Sequence, residues 1–440
     1  MGQEAARSVR LGESCRVSPE DLSRELSLAD VLELSLCNNP TTRMAWLNAK
    51  TSAARHDASL SSYFPRVSAS VDYGRSLIHD SGGFSAGANA SWLLWDFGGR
   101  EARVEQTYQA MQTAEFGYDA TLQSAAYSAI AAYYKTLSSQ ESLASARANE
   151  ETTNKALELA SKKFELGLAS KADKLQAETA FVQAQLESTR VEQALTNSRA
   201  ALAKQLGLPP NLPLMLAAAQ EGEGAAALPR PVEELIEGAK ARHPRMKAEM
   251  AALKSAEAAV SEARAGFAPS ISAMASTNWA LSSDKSDPAH NYPYETERRV
   301  GFSLNVPIFS GFETIYSVDA AKYAYAAQAE KFRDLVQTLE LEVVSAHNDY
   351  TIGLKSLELA KKMLASAKEN EAVALGSYQA GRGDILRLMD AQSKLREAEQ
   401  SLISARYDLA IYKLALLRAT GELHTQNIEG LAAPAGAAGP

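Results

Sequence analysis

The sequence predicts a mainly α protein with transmembrane β-strands, built from a helix-hairpin-helix unit that occurs twice. The first reason is a repeat. Phe164, Gly167, Ala177 and Gly207 recur 214 positions later as Tyr378, Gly381, Ala391 and Gly421, so a whole supersecondary unit has kept its spacing. The second is strict period-two alternation in both halves, which sets an apolar face against a polar one, as in a barrel strand. The third is a seven-residue apolar repeat through the longest segments, the pattern of a left-handed coiled coil.

Leu28 to Leu60 reads as one helix opened by Ser27 as N-cap, with a duplicate at about Val232 to Ala265. Here the offset is 204, because Asn39-Pro40 matches His243-Pro244 and Phe64-Pro65 matches Ala268-Pro269. The ten-residue length difference therefore falls between Pro65 and Trp95. Alternation follows: Val67, Ala69, Val71 and Tyr73, then Phe84, Ala86, Ala88, Ala90 and Trp92, share an apolar face, with a hairpin turn expected at Asp80-Ser81-Gly82-Gly83. The second half repeats this with Ile271, Ala273, Ala275, Thr277 and Trp279, then Val300, Phe302, Leu304, Val306 and Ile308. Between them, Ser282 to Glu297 reads as an exposed loop.

After each hairpin the period changes. Val336, Val343, Tyr350, Leu357, Leu364 and Tyr378 occupy one heptad position, and Leu339, Ala346, Gly353, Ala360, Ala367, Ala374 and Gly381 the other, broken only at Glu371. Subtracting 214 gives the same frame in the first half, from Leu122 and Ala125 to Phe164 and Gly167. Return helices follow, with Leu388, Leu395, Leu402, Leu409 and Leu416 in register. Arg100 to Phe164, as helix, spans about 100 Å at a rise of about 1.5 Å per residue.

The predicted organisation is an N-terminal arm (1–26), a first repeat (27–207, strands about 66–95), a linker (208–231), a second repeat (232–421, strands about 269–309) and a low-complexity tail (422–440). Four strands cannot close alone in lipid, where each unpaired backbone group at an edge costs several kcal/mol. Two chains give eight strands and barely close; three give twelve and a pore. Three sets of helices then make a tunnel continuing the barrel axis.

Of the 440 residues 46% are hydrophobic but only 7% aromatic, and Ala and Leu carry most of the helical apolar content, which suits close helix packing. A net charge of -8 with no basic stripe argues against a nucleic-acid partner. No apolar run reaches the ~18 residues of a membrane-spanning helix, so any span is made of strands. Residues 1–24 hold no apolar signal core, and the expectation is that an export signal has been removed ahead of them. Cys15 and Cys37 leave two readings open: unrelated buried thiols, or a disulfide pinning the arm in an oxidising compartment. The six histidines are scattered, no metal spacing occurs, and Gly82-Gly83 is no phosphate loop. Neither catalysis nor a cofactor is expected. Trp92, Trp95, Phe97, Phe302, Phe309 and Phe312 bunch at strand ends, as an interfacial girdle or as junction packing.

Taken in order and twice over, several segments resemble the TolC-like outer-membrane efflux and secretion channels across Leu26 to Gly421. They are Asn38-Asn39-Pro40, Tyr63-Phe64-Pro65, Trp92-Leu-Leu-Trp-Asp-Phe-Gly-Gly-Arg100, Val306-Pro-Ile-Phe-Ser-Gly311 and the two tips, Phe164 to Asp173 and Tyr378 to Ile385. The resemblance implies a homotrimer with a twelve-stranded outer-membrane β-barrel, continued by a long periplasmic α-helical coiled-coil barrel. It also implies contact with outer-membrane lipid, and docking to a periplasmic adaptor (a membrane fusion protein) joined to an inner-membrane transporter. Adaptor docking falls on Gly167, Leu168, Ala169 and Ser170 and on Gly381, Arg382, Gly383 and Asp384. The gate maps to Asp173, Tyr378 and Asp390. Gly383 stands where the family pattern has a gating Arg, with Arg382 adjacent, and Arg387 stands where it has a ring Asp, so the acid ring is weakened. The expected role is a passive exit duct, with type I protein secretion favoured slightly over small-molecule efflux. A soluble periplasmic coiled-coil adaptor is the alternative; it lacks paired amphipathic strands.

Overall fold

The computed structural model of the protein describes residues 24–76, 81–217, 230–283 and 295–423. The chain runs through α1 (Leu28–Asn38), α2 (Pro40–Leu60), a 3-10 turn at Ser61–Tyr63, β1 (Arg66–Ser76), β2 (Ser81–Trp95), α3 (Gly99–Glu165) and α4 (Lys171–Gln205). The second half runs through α5 (Val232–Arg242), α6 (Pro244–Ala265), β3 (Ser270–Ser283), β4 (Glu295–Asn305), α7 (Glu313–Gln379) and α8 (Ile385–Ala419). The two longest helices, α3 and α7, have the same length, 67 residues each, and so do the return helices α4 and α8, 35 each. The duplication read from the sequence is thus a duplication of whole elements.

The expected helix Leu28 to Leu60 is two helices, and so is its duplicate. A proline ring crowds the residue before it out of the α region, and Asn39 and His243 are both extended, with ψ of 125° and 126°. Pro40 and Pro244 then open the next helix, where a missing N–H costs nothing. Each break is stitched in the same way. Asn39 Oδ1 accepts the Thr41 N–H at 2.9 Å, and His243 Nδ1 accepts the Arg245 N–H at 3.1 Å.

The described residues fall into two compact units, each drawing on both repeats. The first comprises residues 24–46, 117–217, 230–246 and 336–423. Its main core joins α1, α3, α4 and α8 through Val31, Ile130, Leu202, Leu206 and Leu414. Leu26 and Leu216 add a short parallel bridge, with the Leu26 N–H bonded to the Met215 carbonyl at 2.8 Å, so the start of the linker is tied down. The heptad frame is visible in burial: Leu339, Val343, Ala346, Tyr350, Ala360, Ala367, Ala374 and Tyr378 are all buried. At Gly353 a Cβ would stand 2.8 Å from the Tyr412 ring, so α8 packs tightly against this small-residue position. On α8 itself the expected leucine line is only partly right. Leu388 is buried, but Leu395, Leu402, Leu409 and Leu416 are half-buried, and the buried set continues through Ala391, Ala398, Ile403, Tyr407 and Leu414. Several neighbouring helices, not one partner, set that face.

The second unit (residues 47–116 and 247–335) holds one antiparallel sheet in the order β1-β2-β3-β4. The β2–β3 pair joins the halves, with Ala90 opposite Ala275. Register keeps the apolar residues together: Val67, Ala90, Ala275 and Val300 form one row and Val71, Ala86 and Trp279 belong to another. A bulge at Leu93 to Trp95 restores Trp95 to the face that Trp92 occupies, opposite Ile271. Three expectations need correction. Ser81, Gly82 and Gly83 lie within β2, paired to Ser76, Arg75 and Gly74, and are not turn residues; Asp80 lies outside the described residues. Both ends of the expected loop Ser282 to Glu297 are strand, because β3 reaches Ser283 and β4 starts at Glu295; residues 284–294 lie outside the described residues. Val306 and Ile308 lie beyond β4, which ends at Asn305 ahead of Pro307.

Candidate functional site

The two tips close the α3–α4 and α7–α8 hairpins. At each, a left-handed glycine lets the backbone satisfy its last carbonyls. Gly167 has φ 71° and donates to the Phe164 carbonyl at 3.0 Å while Leu168 donates to Lys163 at 2.8 Å. Gly381 has φ 73°, and Gly381 and Arg382 donate to the Tyr378 and Ser377 carbonyls at 3.2 and 3.0 Å. The return helices then start on side-chain caps. Ser170 and Asp173 form a reciprocal capping box, and Asp384 accepts the Leu386 N–H at 3.3 Å.

These turns display most of the residues expected to dock a partner. Gly167, Leu168, Ser170, Gly381, Arg382 and Asp384 are exposed, and Ala169 and Gly383 are half-exposed. Leu166 and Leu168 are 72% and 74% exposed, an apolar end that one chain leaves uncovered. Beneath tip two lies a small core of Ala156, Ala374, Tyr378, Ile385, Leu388 and Ala391.

The expected gate residues are less concentrated. Tyr378 is buried, and its hydroxyl has no hydrogen-bond partner. Burial, and then the charges of Asp173 and Asp384, push that hydroxyl's pKa up. No hydrogen bond joins it to Asp173, whose carboxylate instead accepts the Ser170 N–H at 2.9 Å. Asp390 is paired within α8 to Lys394 at 2.7 Å, and Arg382 and Arg387 are exposed. At this end a polar link between the hairpins comes from Lys163, in the last turn of α3. Its Nζ lies 4.1 Å from the centroid of the Tyr378 ring and donates to the Tyr378 carbonyl. Sequence reading passed over Lys163 because a lysine ahead of a C-terminal glycine ordinarily just faces the helix dipole. Cys37, near the end of α1, is not a free thiol; its expected partner Cys15 lies outside the described residues.

In the sheet unit, strands pass into helices through two strained aromatic corners. Phe97 and Phe312 both have positive φ, 55° and 69°, each beside a glycine that does too, Gly98 and Gly311. A side chain holds such a conformation only where its surroundings enforce it. Here Trp95 meets Phe97 edge-on at 6.1 Å, Phe309 meets Phe312 at 5.4 Å, and Asp96 accepts the Arg100 N–H at 2.6 Å. Phe97, Phe309 and Phe312 remain more than half exposed. So does the apolar face of the edge strands: Val67, Val71 and Tyr73 on β1, and Val300, Phe302 and Leu304 on β4.

A sheet with such a face, feeding long paired helical hairpins, belongs to the class of outer-membrane channels with a helical periplasmic portion. The chain is a member of the outer membrane efflux protein family, whose model matches residues 31–208 and 235–422. It is 28% identical to Protein CyaE of Bordetella pertussis over 94% of this chain and 87% of that one. It is 25% identical to Outer membrane protein TolC of Vibrio cholerae over 88% of this chain and 85% of that one. Its fold matches a crystal structure of CusC with a TM-score of 0.77, at 20% identity, over 93% of this chain and 96% of that one.

Proposed function

We propose that three copies of this chain form a passive exit duct across the outer membrane. A twelve-stranded barrel is closed by pairing β4 of one copy with β1 of the next, and a helical tunnel continues it into the periplasm. The observation that carries the reading is the sheet: β1 and β4 are open edges, and the face they share is apolar and exposed. In lipid such edges must be paired. A second observation supports it. On α7, Leu341, Ile352 and Met363 recur every eleven residues, with Leu359 beside them, and all are exposed, so one side of that helix awaits a neighbour.

The tips dock a periplasmic adaptor that is joined to an inner-membrane transporter, which supplies the energy. Gly167 to Ser170 and Gly381 to Asp384 form the docking surface. The periplasmic entrance closes where Lys163 clasps Tyr378, with Asp173, Arg382, Arg387 and Asp390 setting the charge around it. Arg387 makes that ring less acidic than one built of aspartates alone. Cys15 and Cys37 form a disulfide that holds the N-terminal arm. By resemblance of the Leu93-Leu-Trp-Asp-Phe-Gly-Gly99 segment, the cargo is a polypeptide exported by a type I system rather than a small molecule.

The test is complementation of a cell lacking its own exit duct but supplied with an adaptor and transporter. Polypeptide in the medium without gain of resistance to small toxic compounds supports the reading. Resistance without secretion overturns the cargo assignment, and neither overturns the duct.

A further inference from the structure

The duplication relates contacts as well as elements. In the first unit a row of side chains joins α3 to α8. The Arg418 guanidinium lies 4.3 Å from the centre of the Tyr127 ring, and the Tyr134 and Tyr407 rings are 6.4 Å apart. Arg406 donates to both oxygens of the Glu141 carboxylate at 3.0 and 3.2 Å, and the Ser145 hydroxyl donates to Glu399 at 2.7 Å. All of these residues are buried or half-buried. Their counterparts 214 positions away lie on α7 and α4. On α7 they are Leu341, Asn348, Lys355 and Leu359, spaced so as to share one helix face. On α4 they are Lys204, Gln193, Glu192 and Gln185, and every residue of both sets is exposed. Two faces that meet in one half of the duplication therefore stand open in the other.

The open faces also match chemically, pair by pair. Where Glu141 meets Arg406, the counterparts are Lys355 and Glu192; both have changed sign, and the pair is still opposite in charge. Lys355 makes no ion pair among the described residues. Glu192 holds Arg147 at 3.2 Å with both side chains 60% exposed, so its carboxylate has capacity for a second cation. The two tyrosines become Asn348 and Gln193, amides that each carry a donor and an acceptor for the other. Tyr127 and Arg418 become Leu341 and Lys204, and a lysine stem covers apolar surface while its ammonium stays in water. Ser145 and Glu399 become Leu359 and Gln185, a pair that buries no charge. Like charges meet at none of these positions.

We propose that α7 of one copy packs on α4 of the next in the register that α3 takes on α8, with Lys355 paired to Glu192 of that next copy. This rests on the several-copy duct argued above, and it identifies the contact between the helical portions. The two faces are different surfaces of one chain, so the contact is heterologous and gives a ring where its rotation closes. An exposed ion pair contributes modestly to affinity, so Lys355 and Glu192 act chiefly by fixing the register of the seam.

The experiment reverses the charges. Detergent-solubilised Lys355→Glu, Glu192→Lys and the double variant are weighed at low ionic strength beside wild type. Each single reversal is expected to raise the dissociated fraction about fivefold, with the wild-type value regained in the double variant. Glu192→Lys also breaks the Arg147 pair within the chain, so the rescue is the deciding readout. Single reversals without effect, or a double variant no better than the worse single one, overturn the proposal. A second variant reads proximity alone: Lys355→Cys combined with Glu192→Cys, treated with a short bismaleimide, should give covalent multimers that neither single variant gives. No cross-link, or one confined to a single chain, overturns the contact. Wild-type protein that assembles while failing both tests refutes this seam alone; wild-type protein that stays a single chain refutes the duct and the seam together.

Discussion

The ammonium of Lys163 stands 4.1 Å from the centre of the Tyr378 ring and also donates to the Tyr378 carbonyl, so one side chain of α3 holds both the ring and the backbone end of α7. A cation over an aromatic face contributes about 0.5–2 kcal/mol, depending on desolvation. The Tyr378 hydroxyl has no hydrogen-bond partner and contributes nothing comparable. Lys163→Ala is therefore expected to weaken the clasp by about 1–2 kcal/mol and to raise single-channel conductance. Tyr378→Phe should leave conductance unchanged and stability equal or slightly higher. Bilayer recordings of the two variants check this, and a larger effect from Tyr378→Phe than from Lys163→Ala would refute the clasp.

Gly207 and Gly167 make the same helix-ending turn, with φ of 68° and 71°, but in different surroundings. A Cβ on Gly207 would stand 2.4 Å from the Asn38 carbonyl oxygen, whereas one on Gly167 meets nothing within 4 Å. Gly167→Ala should cost only the left-handed strain, about 1 kcal/mol. Gly207→Ala adds a collision with backbone at the α1–α2 break, and is expected to cost more than about 2 kcal/mol. Urea or thermal unfolding of the two variants side by side gives the comparison; equal losses would mean that the break is not packed against Gly207.

Burial, then the neighbouring Arg245 guanidinium, lowers the His243 pKa to about 4 from an ordinary value of 6.5. Arg418 opposes protonation too, and Glu342 favours it. Because the folded-state pKa is the lower one, the unfolded chain takes up the proton first. Stability is full above pH 6.5, falls as the pH drops from there toward 4, and levels off below; the total loss is roughly 3 kcal/mol. In the first repeat Asn39 does the same job of accepting the backbone N–H two residues on. His243→Asn should therefore keep the helix break and flatten that part of the pH profile. A profile as steep as wild type would show that other groups set the acid sensitivity.

The repeat, the strand faces and the coiled-coil frame were legible in the sequence because each is a periodicity maintained over many residues. Val343 and Ala360 are buried where the heptad put them. What pattern alone missed were local departures from a period. Asn39 and His243 break helices whose apolar spacing continues across the break, and only the following proline signals it. The leucine line of α8 failed because its burial is shared among several neighbours. Lys163 was invisible for another reason: a lone cation acquires meaning from what lies opposite it, and here that is the Tyr378 ring and carbonyl at the end of α7.

The central claim, that three copies share one membrane barrel, is tested most directly by the detergent-corrected mass of the protein extracted from outer membranes. The account predicts three copies of the 47.2 kDa chain carrying a detergent belt. A single chain or a pair of chains with no bound detergent would contradict it.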